Sequence, residues 1–273
     1  MKRVLLSVLL LAGLLSHAAR ADVVVLVHGY LGGAGSWDYS GVTTTLQQHG
    51  WQRAGVYAAG PSGVQFIPAR GAQTAQKYYA VDLPSEAPIL VQVYQLHEIL
   101  ATIARTHSGE PVVLVGHSAG GVVARAALVR GDVHNVKALI TIASPHLGTD
   151  RAEQALDVTD IPFPLSVVTD LLGGDTYDTA MRSRSLYIDL IRPQPGSLLY
   201  WLNAQPHPNI EYFSIVRGQT ASGRGDYIVP AYSQDMNNVP ALRGRSSLIT
   251  VPVRHGLEPV DGGILVNLLA DLH

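Results

Sequence analysis

Three residues far apart in this 273-residue chain are of the types that together transfer acyl groups: Ser118, Asp226 and His255. Ser118 lies in Gly116-His117-Ser118-Ala119-Gly120, which fits the pattern G-x-S-x-G. A serine hydroxyl is a poor nucleophile at neutral pH, so it needs a base within hydrogen-bond reach and an acid that fixes the base's tautomer. His255, in Arg254-His255-Gly256, offers the imidazole, and Asp226, in Gly225-Asp226-Tyr227, the carboxylate. Asp235 and Asp170 are alternative acids. Asp226 is preferred because Ile228 and Val229 after it form an apolar, strand-like tail.

Such residues act only if secondary structure delivers them to one place. Residues 112–115 are an apolar, β-branched run and 122–128 an apolar, alanine-rich helix former, so Ser118 falls on a strand-to-helix turn. That turn strains the serine backbone, and Gly116 and Gly120 leave room for neighbouring backbone to pass close by. The Ala119 N–H, at the positive end of the helix, can donate to a developing oxyanion. Residues 22–27 (DVVVLV) read as a fully buried strand running into His28-Gly29-Tyr30, where the Tyr30 N–H can supply a second oxyanion donor. Further strands are expected at 78–83, 136–143, 210–216 and 247–253. Helices are expected at 40–49, 88–106 and 261–272; the stretch from 50 to 70 carries no assignable pattern. Each of the three chemical residues then follows a strand, and parallel strand ends all face one way, which lets them converge.

Hydrophobic content of 47% with 15% charged residues points to one large α/β domain with a substantial core, and excludes a disordered chain. Residues 1–21 begin with Lys2-Arg3, run through an apolar stretch and reach Ala19-Arg20-Ala21, the form of a secretory signal cut after Ala21. That places the protein in the periplasm or outside the cell. Lys2, Arg3 and Arg20 are three of the 19 Lys and Arg, so their loss moves the formal charge from −2 to about −5 and gives nucleic acid nothing to bind. With no cysteine, neither a disulfide nor a thiolate metal site can form.

Residues 151–208 alternate apolar pieces, such as 161–165 and 198–202, with glycine and proline, and show no sheet strand. An insertion of that kind suits a cap of short helices over the site, with an apolar face for acyl chains and transient contact with a lipid surface. His97, His107, His28 and His117 read as structural; His146 is a turn histidine that could also line the pocket.

Taken together, VLVHGYLG at 25–32, VLVGHSAGG at 113–121, SPHLGT at 144–149, Asp226 before YIVP and His255 near the C-terminus resemble the lipase and esterase branch of the α/β-hydrolase superfamily, particularly bacterial triacylglycerol lipases. The resemblance implies Ser118 as nucleophile, His255 as general base and acid, Asp226 as orienting carboxylate, and Tyr30 and Ala119 as the oxyanion hole. It implies a serine hydrolase that cleaves carboxylic esters through an acyl-enzyme without a cofactor, on a small-molecule or lipid ester. A thioesterase, amidase or aryl-ester hydrolase could run on the same residues, and a binding protein could keep the fold without turnover. Two departures stand out. The first strand already precedes the oxyanion loop, so the sheet is expected to lack the two N-terminal strands of larger relatives. No carboxylate cluster marks the calcium site of some secreted lipases, Asp261 standing alone.

Overall fold

The computed structural model describes residues 22–60, 62–71, 76–131, 133, 135–159, 175–218 and 225–272. The expected leader, the apolar piece at 161–165 and Asp170 lie outside them.

The framework is an eight-stranded sheet. In chain order its strands are β1 (Val23–Val27), β2 (Gln52–Gly60), β3 (Gly63–Pro68), β4 (Lys77–Asp82), β5 (Val112–His117), β6 (Val136–Ile142), β7 (Glu211–Arg217) and β8 (Ser246–Val251). Their spatial order is β3-β2-β4-β1-β5-β6-β7-β8, and every neighbouring pair is parallel except β2 with β3. β1 explains why its sequence is apolar without alternation. Val23, Val25 and Val27 pack into the core on one face, Val24 and Leu26 into the core on the other, and all five are buried. Each such side chain contributes about 1.5–3 kcal/mol on leaving water.

Helices cover both faces. Helix α3 (Ile89–Thr106) buries Ile89, Val93, Leu96, Leu100 and Ile103 against one face, beside α4 (Ala119–Arg130). The opposite face takes Trp37 of α1 (Ser36–Tyr39), Val42 and Leu46 of α2 (Val42–Gln48), and Leu265 and Leu269 of the C-terminal helix α10 (Pro259–Asp271). Between β6 and β7 come α5 (Asp150–Thr159), α6 (Asp175–Arg182), α7 (Arg184–Asp189) and α8 (Leu198–Ala204), and the short α9 (Ala231–Gln234) follows β7.

Two expectations are corrected. The sheet is not reduced in strand number: among the described residues no strand precedes β1, but the stretch without an assignable pattern forms the β2–β3 hairpin, which adds two strands beside β4 and makes eight. The hairpin was hidden because β3 is exposed along most of its length, so its residues need no apolar alternation. Its packing rests on Gly55 in β2, where a Cβ would stand 2.5 Å from the Ile67 carbonyl oxygen and 2.4 Å from the Phe66 ring. Residues 227–230 after Asp226 are a bend rather than a strand. Tyr227 there has φ of 71°, a left-handed backbone that no strand uses.

Candidate functional site

Ser118 links β5 to α4 with φ 52° and ψ −129°, the strained backbone that the sequence implies. Two features hold it there. The Ser118 N–H donates to the Ile142 carbonyl at 2.8 Å, tying the turn to β6. The helix after it lies so close to β1 that a Cβ on Gly120 would stand 2.1 Å from the His28 carbonyl oxygen. Gly116 is equally confined, with 2.4 Å to the Gly121 Cα. A serine at this position usually caps its helix with its own hydroxyl. Here the hydroxyl makes no such bond and turns to His255 instead.

His255 lies in the loop after β8. Its Nε2 is 2.9 Å from Ser118 Oγ, and its Nδ1 is 2.7 Å from Asp226 Oδ2. A carboxylate only accepts, so Nδ1 carries the proton and Nε2 is free to receive one from the serine. Asp226 is buried in the loop beyond β7. Its Oδ1 accepts the N–H groups of Ile228 at 2.9 Å and Val229 at 2.8 Å. Burial pushes the Asp226 carboxyl up, but the hydrogen bond and charge of His255 and the two backbone donors outweigh it. The net position is below the ordinary carboxylate value.

The residues proposed for an oxyanion hole lie at the same place. Tyr30 and Ala119 line a cavity of about 390 Å³ together with Ser118. Ala119 is the first residue of α4, so its N–H has no carbonyl within the helix to bond. The rest of the lining is largely apolar: Pro145, Ala152, Ala155, Leu186, Leu190 and Val229. Helix α7 is fastened to the core beneath it. Tyr187 Oη meets Tyr30 Oη at 2.5 Å, and Asp189 accepts the Ile89 N–H at the start of α3 at 2.7 Å.

Five further described histidines have partners other than the Ser118 hydroxyl. His117 Nε2 donates to the His255 carbonyl at 2.9 Å; burial, then the neighbouring His255 charge, pulls it down to about 3. His28 Nε2 accepts the Leu83 N–H, and burial lowers its pKa. His146 is buried with Nε2 on Thr141 Oγ1, behind a cavity lined by Pro145 instead. His97 bonds the Ala127 carbonyl, and His107 bonds Tyr79 and Glu110. Asp235 bonds the N–H and side chain of Asn237, away from His255. Asp261 forms a buried ion pair with Arg217.

A family model described as the alpha/beta hydrolase fold matches residues 22–160, slightly over half of the chain. The chain belongs to the α/β-hydrolase family. Solved structures agree with that fold at low identity. The lipase BlEst2 of Bacillus licheniformis, in its mature form, is 18% identical with a TM-score of 0.55, covering 93% of this chain and 92% of its own. The product of lin2722 from Listeria innocua is 15% identical with a TM-score of 0.54, covering 85% and 84%. A lipase-esterase related protein of Clostridium acetobutylicum is 12% identical with a TM-score of 0.54, covering 93% and 96%. No curated protein matches the chain in sequence. The family match and these low-identity neighbours agree on the fold.

Sequence reasoning missed several residues of this candidate site. Gln234 touches Asp226, Arg217 bonds the carbonyl next to His255, and Tyr187 reaches Tyr30. A single glutamine, arginine or tyrosine carries no spacing signal, so only the folded chain reveals them.

Proposed function

We propose that this hydrolase cleaves carboxylic esters through an acyl-enzyme, with Ser118 as nucleophile, His255 as general base and acid, and Asp226 as orienting carboxylate. The observation that carries the reading is the continuous relay from Asp226 Oδ2 through His255 to Ser118 Oγ, opening on an apolar cavity. In the first step Ser118 Oγ bonds to the ester carbonyl carbon as its proton passes to His255 Nε2. Negative charge then gathers on the former carbonyl oxygen, and the N–H groups of Ala119 and Tyr30 are the donors proposed to meet it. His255 returns the proton to the departing alkoxide, leaving the acyl group on Ser118. Water, deprotonated by the same imidazole, repeats the sequence and releases the acid.

The cavity lining favours an acyl chain over a small polar acid, since filling it with methylenes removes apolar surface from water on both sides. Leu31 and Tyr227 are exposed beside lining residues and Ile228 is an exposed part of the lining, and all three suit transient contact with a lipid surface. On this reading residues 151–208 form a cap over the acyl site, and the leader directs the protein to the periplasm or beyond.

The test is a panel of p-nitrophenyl esters of increasing acyl length with fluorophosphonate labelling. Longer chains are expected to outrun acetate, and Ser118→Ala to lose both turnover and label. A preference for acetate over every longer chain would overturn the acyl-lipid reading, and labelling of the Ser118→Ala variant would assign another nucleophile.

A further inference from the structure

We propose that Gln234 is a positioning residue for the acid–base pair: its side-chain amide fixes the Asp226 oxygen that His255 uses, while Arg217 locks Gln234 and the histidine loop to the same strand end. The inference rests on the assignment of Ser118, His255 and Asp226 above.

Gln234 is fully buried at the end of α9. Its Nε2 donates to Asp226 Oδ2 at 3.2 Å and to the Val229 carbonyl at 2.8 Å, and its Oε1 accepts the Arg217 N–H at 2.7 Å. The amide cannot be turned over. Oε1 has to face the Arg217 N–H, so the two N–H groups must face the two oxygens. Asp226 thereby receives four donors: Ile228 N–H and Val229 N–H on Oδ1, His255 and Gln234 on Oδ2. A carboxylate has about four such acceptor places, so this one is saturated and held against rotation.

Arg217 ties the acid to the base. Its guanidinium forms two bonds with Asp261, at 2.7 and 2.6 Å, and Nη2 also donates to the Gly256 carbonyl at 3.1 Å. Gly256 follows His255, whose own carbonyl is held by His117. One residue at the end of β7 thus grips the acid through Gln234 and the base through its loop. Gln234 and Arg217 do not line the substrate cavity. Their loss should therefore act on turnover and leave substrate binding alone.

Replacing the amide with a carboxylate sharpens the test, because Gln234→Glu would set a second acid against Asp226 Oδ2 and the Val229 carbonyl. Two carboxylates sharing a site titrate higher than one alone. Among the described residues, the charged or titratable groups facing Asp226 and Gln234 include His255 from the loop after β8, His117 from β5 and Arg217 from β7, the last paired with Asp261 of α10. The variant leaves all four in place.

The experiment measures kcat, KM and fluorophosphonate labelling rate on the purified protein between pH 4 and 9, with melting temperature measured in parallel. Gln234→Met, similar in volume but without a donor, is expected to lower kcat and labelling rate about 10-fold with KM within twofold of the parent, a modest loss for a supporting hydrogen bond. Gln234→Glu is expected to lose more and to move the acid limb of kcat/KM upward by about one pH unit. The inference is overturned if Gln234→Met keeps full kcat, if the loss falls on KM, or if Gln234→Glu leaves the acid limb where it was. Should Gln234→Glu not fold, Gln234→Met decides alone through kcat against KM and labelling. If the parent protein shows no turnover, or Ser118→Ala retains it, the failure belongs to the proposed function instead.

Discussion

On the β1–β5 side of the sheet, the backbone of Ser118 and Ala119 is placed by close main-chain packing. Gly116 and Gly120 bring backbone against backbone, and the Ser118 N–H bonds to β6. On the β7–β8 side, Asp226 and His255 stand in loops, and polar side chains hold them: Gln234, the Arg217–Asp261 pair and His117. One half relies on steric exclusion and the other on buried hydrogen bonds. The first should fail by losing structure, the second by losing alignment while the fold persists.

The widest separation should come from Asp226→Asn. The substitution keeps the shape of the side chain but disfavours the His255 tautomer, so kcat should drop on the order of 10⁴-fold, by analogy with serine-protease triads. The fold should persist, with a melting temperature lowered by several degrees because the amide accepts at one oxygen where the carboxylate took four donors at two. A variant that unfolded along with its activity would break the contrast between the two halves.

Gly120→Ala is the complementary experiment on the other side. Its Cβ would have to displace the His28 main chain, which cannot yield as a flexible side chain does. A loss of about 3–5 kcal/mol of unfolding free energy is expected, in the range of severe core strain. Urea unfolding measures it, and a normal midpoint would mean that α4 can slide on β1.

Acid sharpens the comparison through the histidines buried in neutral form. His207 is pulled down to about 4 by burial and the nearby Arg125, and its Nε2 lies 3.3 Å from that guanidinium in α4. His117, between the two halves, falls to about 3. Below the ordinary value of 6.5 the unfolded chain takes up protons that these folded rings refuse. Stability should therefore decline as pH falls from about 6.5 toward 4, measured as melting temperature against pH. His207→Gln, which keeps an acceptor for Arg125, should flatten part of that slope; an unchanged slope would assign it to other groups.

The smallest effect is expected from Tyr187→Phe, which removes one hydroxyl contact between α7 and Tyr30 in the loop after β1. A loss of about 0.5–1.5 kcal/mol in stability and a few-fold fall in kcat/KM should follow. A larger fall would give α7 a greater part in placing Tyr30 than one hydrogen bond explains.

Much of this molecule is legible along the chain. DVVVLV can only be a strand buried on both faces, and a serine between a β-branched run and an alanine-rich helix, with glycine on both sides, can only be a tight turn. These are local facts, set by side-chain volume and backbone sterics over a few residues. The β2–β3 hairpin escaped because an exposed edge strand needs no apolar pattern, and the bend after Asp226 because Ile228 and Val229 mimic a strand. The distances from Ser118 to His255 and from His255 to Asp226 belong to the tertiary structure alone. The sequence preferred Asp226 over Asp235 for a strand-like tail that folds as a bend, so the contact with His255 is what the tertiary structure adds, as it adds the places of Gln234 and Arg217. Each depends on where two loops distant in sequence come to rest, and buried hydrogen bonds with no sequence period determine that.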